Sequence, residues 1–475
     1  MWPRAHRIAQ RRGEGDAWLE ASLDHSLIIR AGGLYLPVVT AGLAWLWRRP
    51  SRAARAGLLL ATLWNFGVLA ALNGLAPCFG WWSLGAHGGL LFGMPVDLLL
   101  GWSVWWAVVG LLAFPDLPVL AVAVIFFSFD LGLMPRLMPV VQLGDRWLVG
   151  EAVCLVLALA PSQWLGRWTR DATHLYRRAG MQVFLFSGLT VGLLPAVIMA
   201  NTGADWRHAL GRPFWVNALL LQALAPIAVL GLSAVQEFAE RGGGTPLPYD
   251  PPLRLVTSGA YAYVANPMQL SAMLLLAGWG WFLRSWWVAA AGVMAHIYSA
   301  GLAAWDEKGD VERRFGSEWR GYRAQVRAWI PRWRPWHLSL VDVQAPCAKL
   351  YVSETCGPCS EVKRWFESHG AIGLEVMAAE EYPGGELMRV TYRASVETTP
   401  ETGVAALARG LEHIHFGWAM VGFAARLPGV GWFLQLLADA SGAGPKRITR
   451  APSFTPNNKS PETLQGMPPS VNPAP

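Results

Sequence analysis

The feature that most constrains this chain is a succession of apolar runs too long and too numerous for the core of a soluble domain. They lie at about Gly33–Trp47, Gly57–Leu75, Leu90–Phe114, Leu117–Leu133, Leu148–Leu165, Met181–Ala200 and Pro213–Phe238. Two more, Gln269–Leu283 and Ser285–Ala304, are joined at Arg284. Each holds roughly 15–25 apolar or small residues, which at about 1.5 Å per helical residue approaches the ~30 Å of a bilayer core. The pattern predicts a polytopic α-helical membrane protein with about nine transmembrane helices. Composition agrees, because 53% hydrophobic residues, 15% charged residues and 27 Trp leave too little polar surface to clothe a soluble fold of 475 residues.

The net charge of +7 is gathered in short Arg-rich loops, which reads as membrane orientation. No basic stripe interleaved with aromatics accompanies it, so nucleic acid is not an expected partner. With the loops flanking the last two runs placed in the cytoplasm, alternation puts Arg48–Arg55 and Arg167–Arg178 inside and leaves the basic segment 1–30 outside. A re-entrant first run, or a count different by one, would remove that last conflict. Segment 1–30 lacks the apolar core and small-residue site of a cleavable signal peptide.

Polar groups interrupt the runs at Asn65, Asn73, Asp97, Asp130, Glu151 and Asn217. Acids inside a membrane line cavities or pair, so Asp97 and Asp130 are functional candidates, with simple access to water near a span end as the alternative. The runs joined at Arg284 form a hairpin. Two crossings return the chain to one surface, where the Gly/Pro-rich segment before the hairpin meets the charged segment after it. A site there can take a lipid from the bilayer and a soluble cofactor from the water.

These flanking segments read GGGTP at Gly242–Pro246, then Leu255-Val-Thr-Ser-Gly-Ala-Tyr261-Ala-Tyr263-Val-Ala-Asn266-Pro267, and after the hairpin Glu307, Lys308, Phe315, Gly316, Trp319, Tyr322, Val326 and Pro331. Over about 90 residues they resemble the isoprenylcysteine carboxyl methyltransferase and phospholipid methyltransferase family. The resemblance implies methyl transfer from S-adenosyl-L-methionine, with Tyr261, Tyr263, Asn266, Pro267 and Glu307 shaping the cofactor site. It also implies a lipid or lipidated methyl acceptor. The chain departs from the family pattern at Ala260, Ala265, Gln269 and Lys308. His296, on nearly the same helical face as Glu307 but deeper in the membrane, is either a substrate-facing group or a buried His bonded to a neighbouring span. The closing segment Asp310–Trp329, rich in Arg and aromatics, predicts an interfacial helix or a solvated helix face.

Composition changes after Pro331. Lys349–Ser353 reads as a strand, Cys356-Gly-Pro-Cys359 follows, and Ser360–His369 has the spacing of an amphipathic helix. A CxxC at a helix N-terminus makes its first thiol the nucleophile, here Cys356, and places the second, Cys359, to resolve a mixed disulfide with a protein or small-molecule thiol partner. One CxxC among five cysteines does not make a structural zinc site unless His413 and His415 complete it. Further strands are predicted at Leu374–Met377 and Leu387–Tyr392 and a helix at Gly403–His413. Strand–CGPC–helix resembles thioredoxin-like proteins, and the later Gly403–Leu407 and Leu427–Asp439 stretches are similar to the DCC thiol-disulfide oxidoreductase group, whose Asp three residues before the first Cys is Ser353 here. Thr399-Pro400 is either the cis-proline of such folds or a plain turn. Phe416–Leu437, broken by Arg426 and Pro428, predicts an amphipathic pair rather than another span.

The expected organisation is a basic segment at 1–30, helices of unassigned role at 31–240, a methyltransferase core at 241–335, an α/β thioredoxin-like domain at 346–441 and a disordered tail at 442–475. Catalytic loops and the C-terminal domain are expected in the cytoplasm. The alternative is a membrane-anchored thiol-disulfide oxidoreductase whose methyltransferase-like region is inactive, and a third reading is a lipid-binding scaffold.

Overall fold

The structure, a computed structural model, describes residues 3–85, 88–207, 211–246, 250–337, 348–394 and 399–447, with only the backbone course of 3–24 and 302–308. The linker 338–347, which includes Cys347, and the predicted tail from residue 448 lie outside the described residues.

Among the described residues, seven helices are long and apolar enough to cross a membrane. They are α1 (Pro3–Arg48, spanning from His25), α2 (Arg52–Leu75), α3 (Val96–Ala113), α4 (Val119–Leu133), α5 (Trp147–Arg170), α6 (Leu175–Thr202) and α7 (Phe214–Gly242). Their outer faces carry bare Leu46, Leu120, Phe184, Phe214 and Trp215, a coat that suits lipid and not water. Inside, Leu69, Leu99, Trp106, Phe126 and Leu159 pack the bundle of α2–α5. The third predicted run starts too early. Positive-φ Gly88, Gly89 and Gly93 with Pro95 turn Leu90–Leu91 (β2) and Met94–Pro95 (β3) into a small antiparallel ribbon outside α3. Beside it Trp82–Leu84 (β1) pairs with Val141–Leu143 (β4), and together they cap one end of the bundle.

The hairpin forms as expected. α8 (Pro267–Leu283) and α9 (Trp286–Tyr298) pack together across a turn made by Arg284 in the left-handed conformation (φ 56°) and Ser285, whose hydroxyl accepts from the Val288 amide. At 17 and 13 residues both are shorter than the seven spans, so the described residues supply seven spanning helices where the runs predict about nine. α9 continues through a wide turn at Ser299–Ala303 into α10 (Ala304–Gln325).

The C-terminal domain is a four-stranded sheet in the order β6-β5-β7-β8, with β5 (Ala348–Val352), β6 (Leu374–Ala378), β7 (Thr391–Arg393) and β8 (Glu401–Thr402). β5 and β6 are parallel, the other pairs antiparallel. α11 (Gly357–Ser368) connects β5 to β6 and α12 (Val404–Leu411) follows β8, burying Phe366 and Ala406 against Leu350 and Val352. The strand predicted over Leu387–Tyr392 is confined to β7, because Leu387 packs on Tyr351 and Ala379 instead of pairing. The described cis peptide is Met138–Pro139; Thr399–Pro400 is not cis. The predicted pair appears as α13 (Phe416–Arg426) and α14 (Val430–Ala438), bent by 90° at the break. Counted as one broken crossing, it would raise the spans to eight.

Candidate functional site

The segments before and after the hairpin meet. After the hairpin, α10 breaks at Gly316, whose φ of 51° and ψ of −119° only glycine adopts readily, and the last turns swing back onto the segment before the hairpin. There Tyr322 donates from its hydroxyl to the Tyr261 carbonyl (2.7 Å), the Ala265 and Asn266 amides donate to the carbonyls of Arg327 (2.9 Å) and Ala328 (3.2 Å), and the Arg332 and Trp336 amides donate to those of Tyr263 (3.0 Å) and Ala262 (2.8 Å). Opposite-facing backbone groups of two remote segments are thereby satisfied as in a short ladder.

The tyrosines at this junction are packing residues. Tyr263 is fully buried, packs tilted against Phe416 and edge-on to Phe423, and donates its hydroxyl to the Glu412 carbonyl (2.8 Å); burial and the Glu412 charge hold its phenol protonated far above the usual range. Tyr261 is buried against Phe238. Asn266 is the residue before α8, makes no side-chain cap, and leads into Pro267 in the first turn, which suits proline's missing donor. Glu307 lies on α10, and its side chain is outside the described residues. His296 sets its ring edge-on to Trp329 at 4.9 Å.

A cavity of about 530 Å³ opens beside this junction. Its walls are Thr257, Ser258 and Gly259 before the hairpin, Glu318, Gly321 and Tyr322 after it, and Tyr392, Arg409, Glu412 and His413 of the C-terminal domain. Tyr261, Tyr263, Asn266 and Pro267 do not line it. His413 is engaged on both ring nitrogens, with the Ile372 carbonyl at 2.8 Å and the Tyr392 hydroxyl at 3.0 Å, and burial lowers its pKa to about 4. His415 stacks on Trp333, so neither histidine is turned toward the dithiol as a metal ligand, and no metal-binding group of three occurs among the described residues.

Under the cavity lies a buried charge network that sequence reasoning missed. Glu237, fully buried near the end of α7, accepts from Arg409 (2.6 Å) and from the Ser258 hydroxyl (2.5 Å). Arg409 also meets Glu240, Glu401 and Glu412, and Arg426 meets Glu240 (2.7 Å) and Glu412 (2.8 Å). Gly259 has φ +59°, and a Cβ there would strike the Glu237 carboxyl at 2.9 Å, which explains a glycine at this point of the motif. The available signal was one Arg in each of two otherwise apolar helices, α12 and α13.

The dithiol stands apart from the cavity walls. Cys356 is the residue before α11, with Pro358 in the first turn, and its carbonyl accepts from the Ser360 amide (3.0 Å). Hydrogen bonds from the Cys359 thiol and amide lower the Cys356 pKa, while burial and the Cys356 thiolate push Cys359 up to about 11. Ser353 stands where the resembled group carries an Asp, and Glu380, from the turn after β6, brings a carboxylate to it, accepting from the Ser353 hydroxyl (2.8 Å) and the Glu354 amide (3.2 Å). Burial opposes its ionisation, and its own amide, the Ser353 hydroxyl and the amides of Glu354 and Thr355 outweigh this and hold its pKa below the usual value.

Comparison with protein-family models, with curated proteins and with solved structures returns no match for this chain.

Proposed function

We propose that this protein transfers a methyl group from S-adenosyl-L-methionine to a lipid-like or prenylated acceptor at the membrane surface, as isoprenylcysteine carboxyl methyltransferase-like proteins do. The observation that carries the reading is the hydrogen-bonded closure of the two motif halves beside a cavity of about 530 Å³, within the usual range for a cofactor-sized ligand. Thr257 and Ser258 offer hydroxyls to it and Glu318 a carboxylate that offsets a sulfonium's charge. The chemistry asks mainly for alignment: an acceptor lone pair attacks the methyl carbon as the carbon–sulfur bond breaks, and the sulfonium leaves as a neutral thioether. A carboxylate acceptor needs no base, whereas an amine must first lose a proton.

Orientation follows the basic loops. Arg178 pairs with Asp250 (2.6 Å) beside the segment that opens the motif, so the Arg167–Arg178 loop shares the site's end of the molecule, the end expected in the cytoplasm. Gly321 provides the test, because open space lies where its Cβ would be. Calorimetry on the detergent-purified chain should show saturable S-adenosylmethionine binding, lost in Gly321→Trp and kept in Cys356→Ser. Absence of binding by the folded native chain would sink the reading.

A second activity, thiol–disulfide exchange, is favoured by the separate thiol pKa values at the N-terminus of α11, and the sheet order with parallel β5–β6 supports a thioredoxin-like reading of this domain. The Cys356 thiolate attacks a target disulfide, Cys359 displaces the mixed disulfide, and the pair is left oxidised with two electrons passed to the target.

A further inference from the structure

The bundle of α2–α5, for which the motifs offer no role, contains two carboxyls without a counter-charge. Asp130 on α4 and Glu151 on α5 are 1% and 2% exposed and lie within spanning helices. Both Asp130 oxygens and Oε1 of Glu151 are buried without a hydrogen-bond partner. The groups that face the pair are each other, the Trp106 indole from α3 and the Cys154 thiol one turn along α5; no basic side chain is among them in the described residues. Another acid at this end of the bundle, Asp97, behaves differently and is ion-paired with Arg30 at 2.7 Å.

A second feature points to what the pair holds. Glu151, Cys154 and Trp106 line a cavity of about 30 Å³ under the β1–β4 ribbon, together with Asn73, Trp82 and Trp102. That is room for about two waters and no organic ligand. Asn73 is satisfied, donating to the Leu69 carbonyl and accepting from the Trp82 indole (both 2.8 Å). Trp106, 1% exposed, keeps an indole N–H without a partner at this wall. Both helices widen by one residue per turn beside it, at Trp105–Val109 and Leu155–Leu159, a distortion that recurs at functional positions in helices. Two ionised carboxyls in contact in a low-dielectric interior, with no cation, are not tenable. The described residues also offer no third ligand for a metal.

We propose that Asp130 and Glu151 form a proton-binding site of the membrane bundle, keeping one shared proton and exchanging a second with water in the cavity beneath the β1–β4 cap. Uptake moves a proton from cavity water onto a carboxylate oxygen and takes the pair from one negative charge to none; release returns that proton to the water and leaves the pair with the shared proton and one negative charge. The site lies at the end of the bundle remote from the Arg-rich loops and from the cofactor cavity, and stands whether or not the methyltransferase reading holds.

The test is infrared difference spectroscopy of the full chain in liposomes across a pH titration. The expected result is a carboxylic-acid C=O band that bleaches as pH rises and is lost in both Asp130→Asn and Glu151→Gln. These near-isosteric variants remove a repulsion and should remain folded. Trp106→Phe, which removes the indole N–H that faces the pair and favours its ionised form, should keep the band and move its midpoint to higher pH. A band unchanged in both carboxyl variants would overturn the proposal. So would a band that responds at fixed pH to exchange of sodium for a large organic cation, since the occupant would then be an alkali ion.

Discussion

At the scale of single residues, the chemistry of the dithiol rests on an asymmetry between two like groups. The Cys356 pKa is lowered by donors from Cys359, so its thiolate is present at a pH where an ordinary thiol is still protonated, and Cys359 at about 11 stays a thiol until it is needed. Alkylation of Cys356 followed against pH should therefore show an inflection below that of a free thiol. Cys359→Ala, which removes the donating thiol, should shift that inflection upward and leave a slower reagent reaction at neutral pH. An inflection unmoved by the substitution would assign the activation to the helix terminus alone. The tyrosines teach the converse. Tyr261 and Tyr263 are the positions at which the family resemblance implies cofactor contact, yet their rings are consumed by packing, and the wall of the cavity is built by their smaller neighbours Thr257, Ser258 and Gly259.

At the scale of elements, the hairpin and the break after it make the site. α8 and α9 return the chain to its starting surface, but a straight α10 would carry Trp319 and Tyr322 away from the loop they must close. Gly316 supplies the turn in a backbone region closed to side chains. Gly316→Ala should strain this break by about 1–3 kcal/mol. The expected readout is a lower thermal midpoint together with weakened S-adenosylmethionine binding, because the Tyr322–Tyr261 bond and the cavity wall depend on the same swing. Gly309→Ala, with open space around it on the same helix, serves as the control and should leave both unchanged.

At the scale of the whole molecule, the C-terminal domain is docked on the membrane part through ionic and apolar contacts together. Phe423 and Ala419 of α13 bury against Tyr263 and Leu230, and Arg409 and Arg426 enter the acidic end of α7. Removing one partner of such a buried network leaves carboxylates without compensation at a cost of about 3–5 kcal/mol. Arg409→Met should accordingly loosen the docking, seen as faster proteolytic cleavage between the two parts with the isolated sheet still resistant. Equal protection of variant and native chain would mean that the apolar contacts suffice. The network also gives the two proposed activities a shared wall, since Arg409 and Glu412 belong at once to the C-terminal domain and to the cavity.

What the sequence determined by itself is what repeats or lies close along the chain. Seven spanning helices follow from apolar runs because lipid leaves the backbone no choice but to bond within each helix. The hairpin follows from Arg284 between two such runs, and the CGPC turn from local helix-start chemistry. What only the tertiary structure decided depends on residues far apart: Glu380 beside Ser353, Arg409 against Glu237, Asp130 against Glu151, and the cavity where three segments converge. A charge read along the chain carries no sign of its partner. Whether it is solvated, paired or left to bind a proton is set by the groups that folding brings within a few ångströms, and by how much water folding leaves among them.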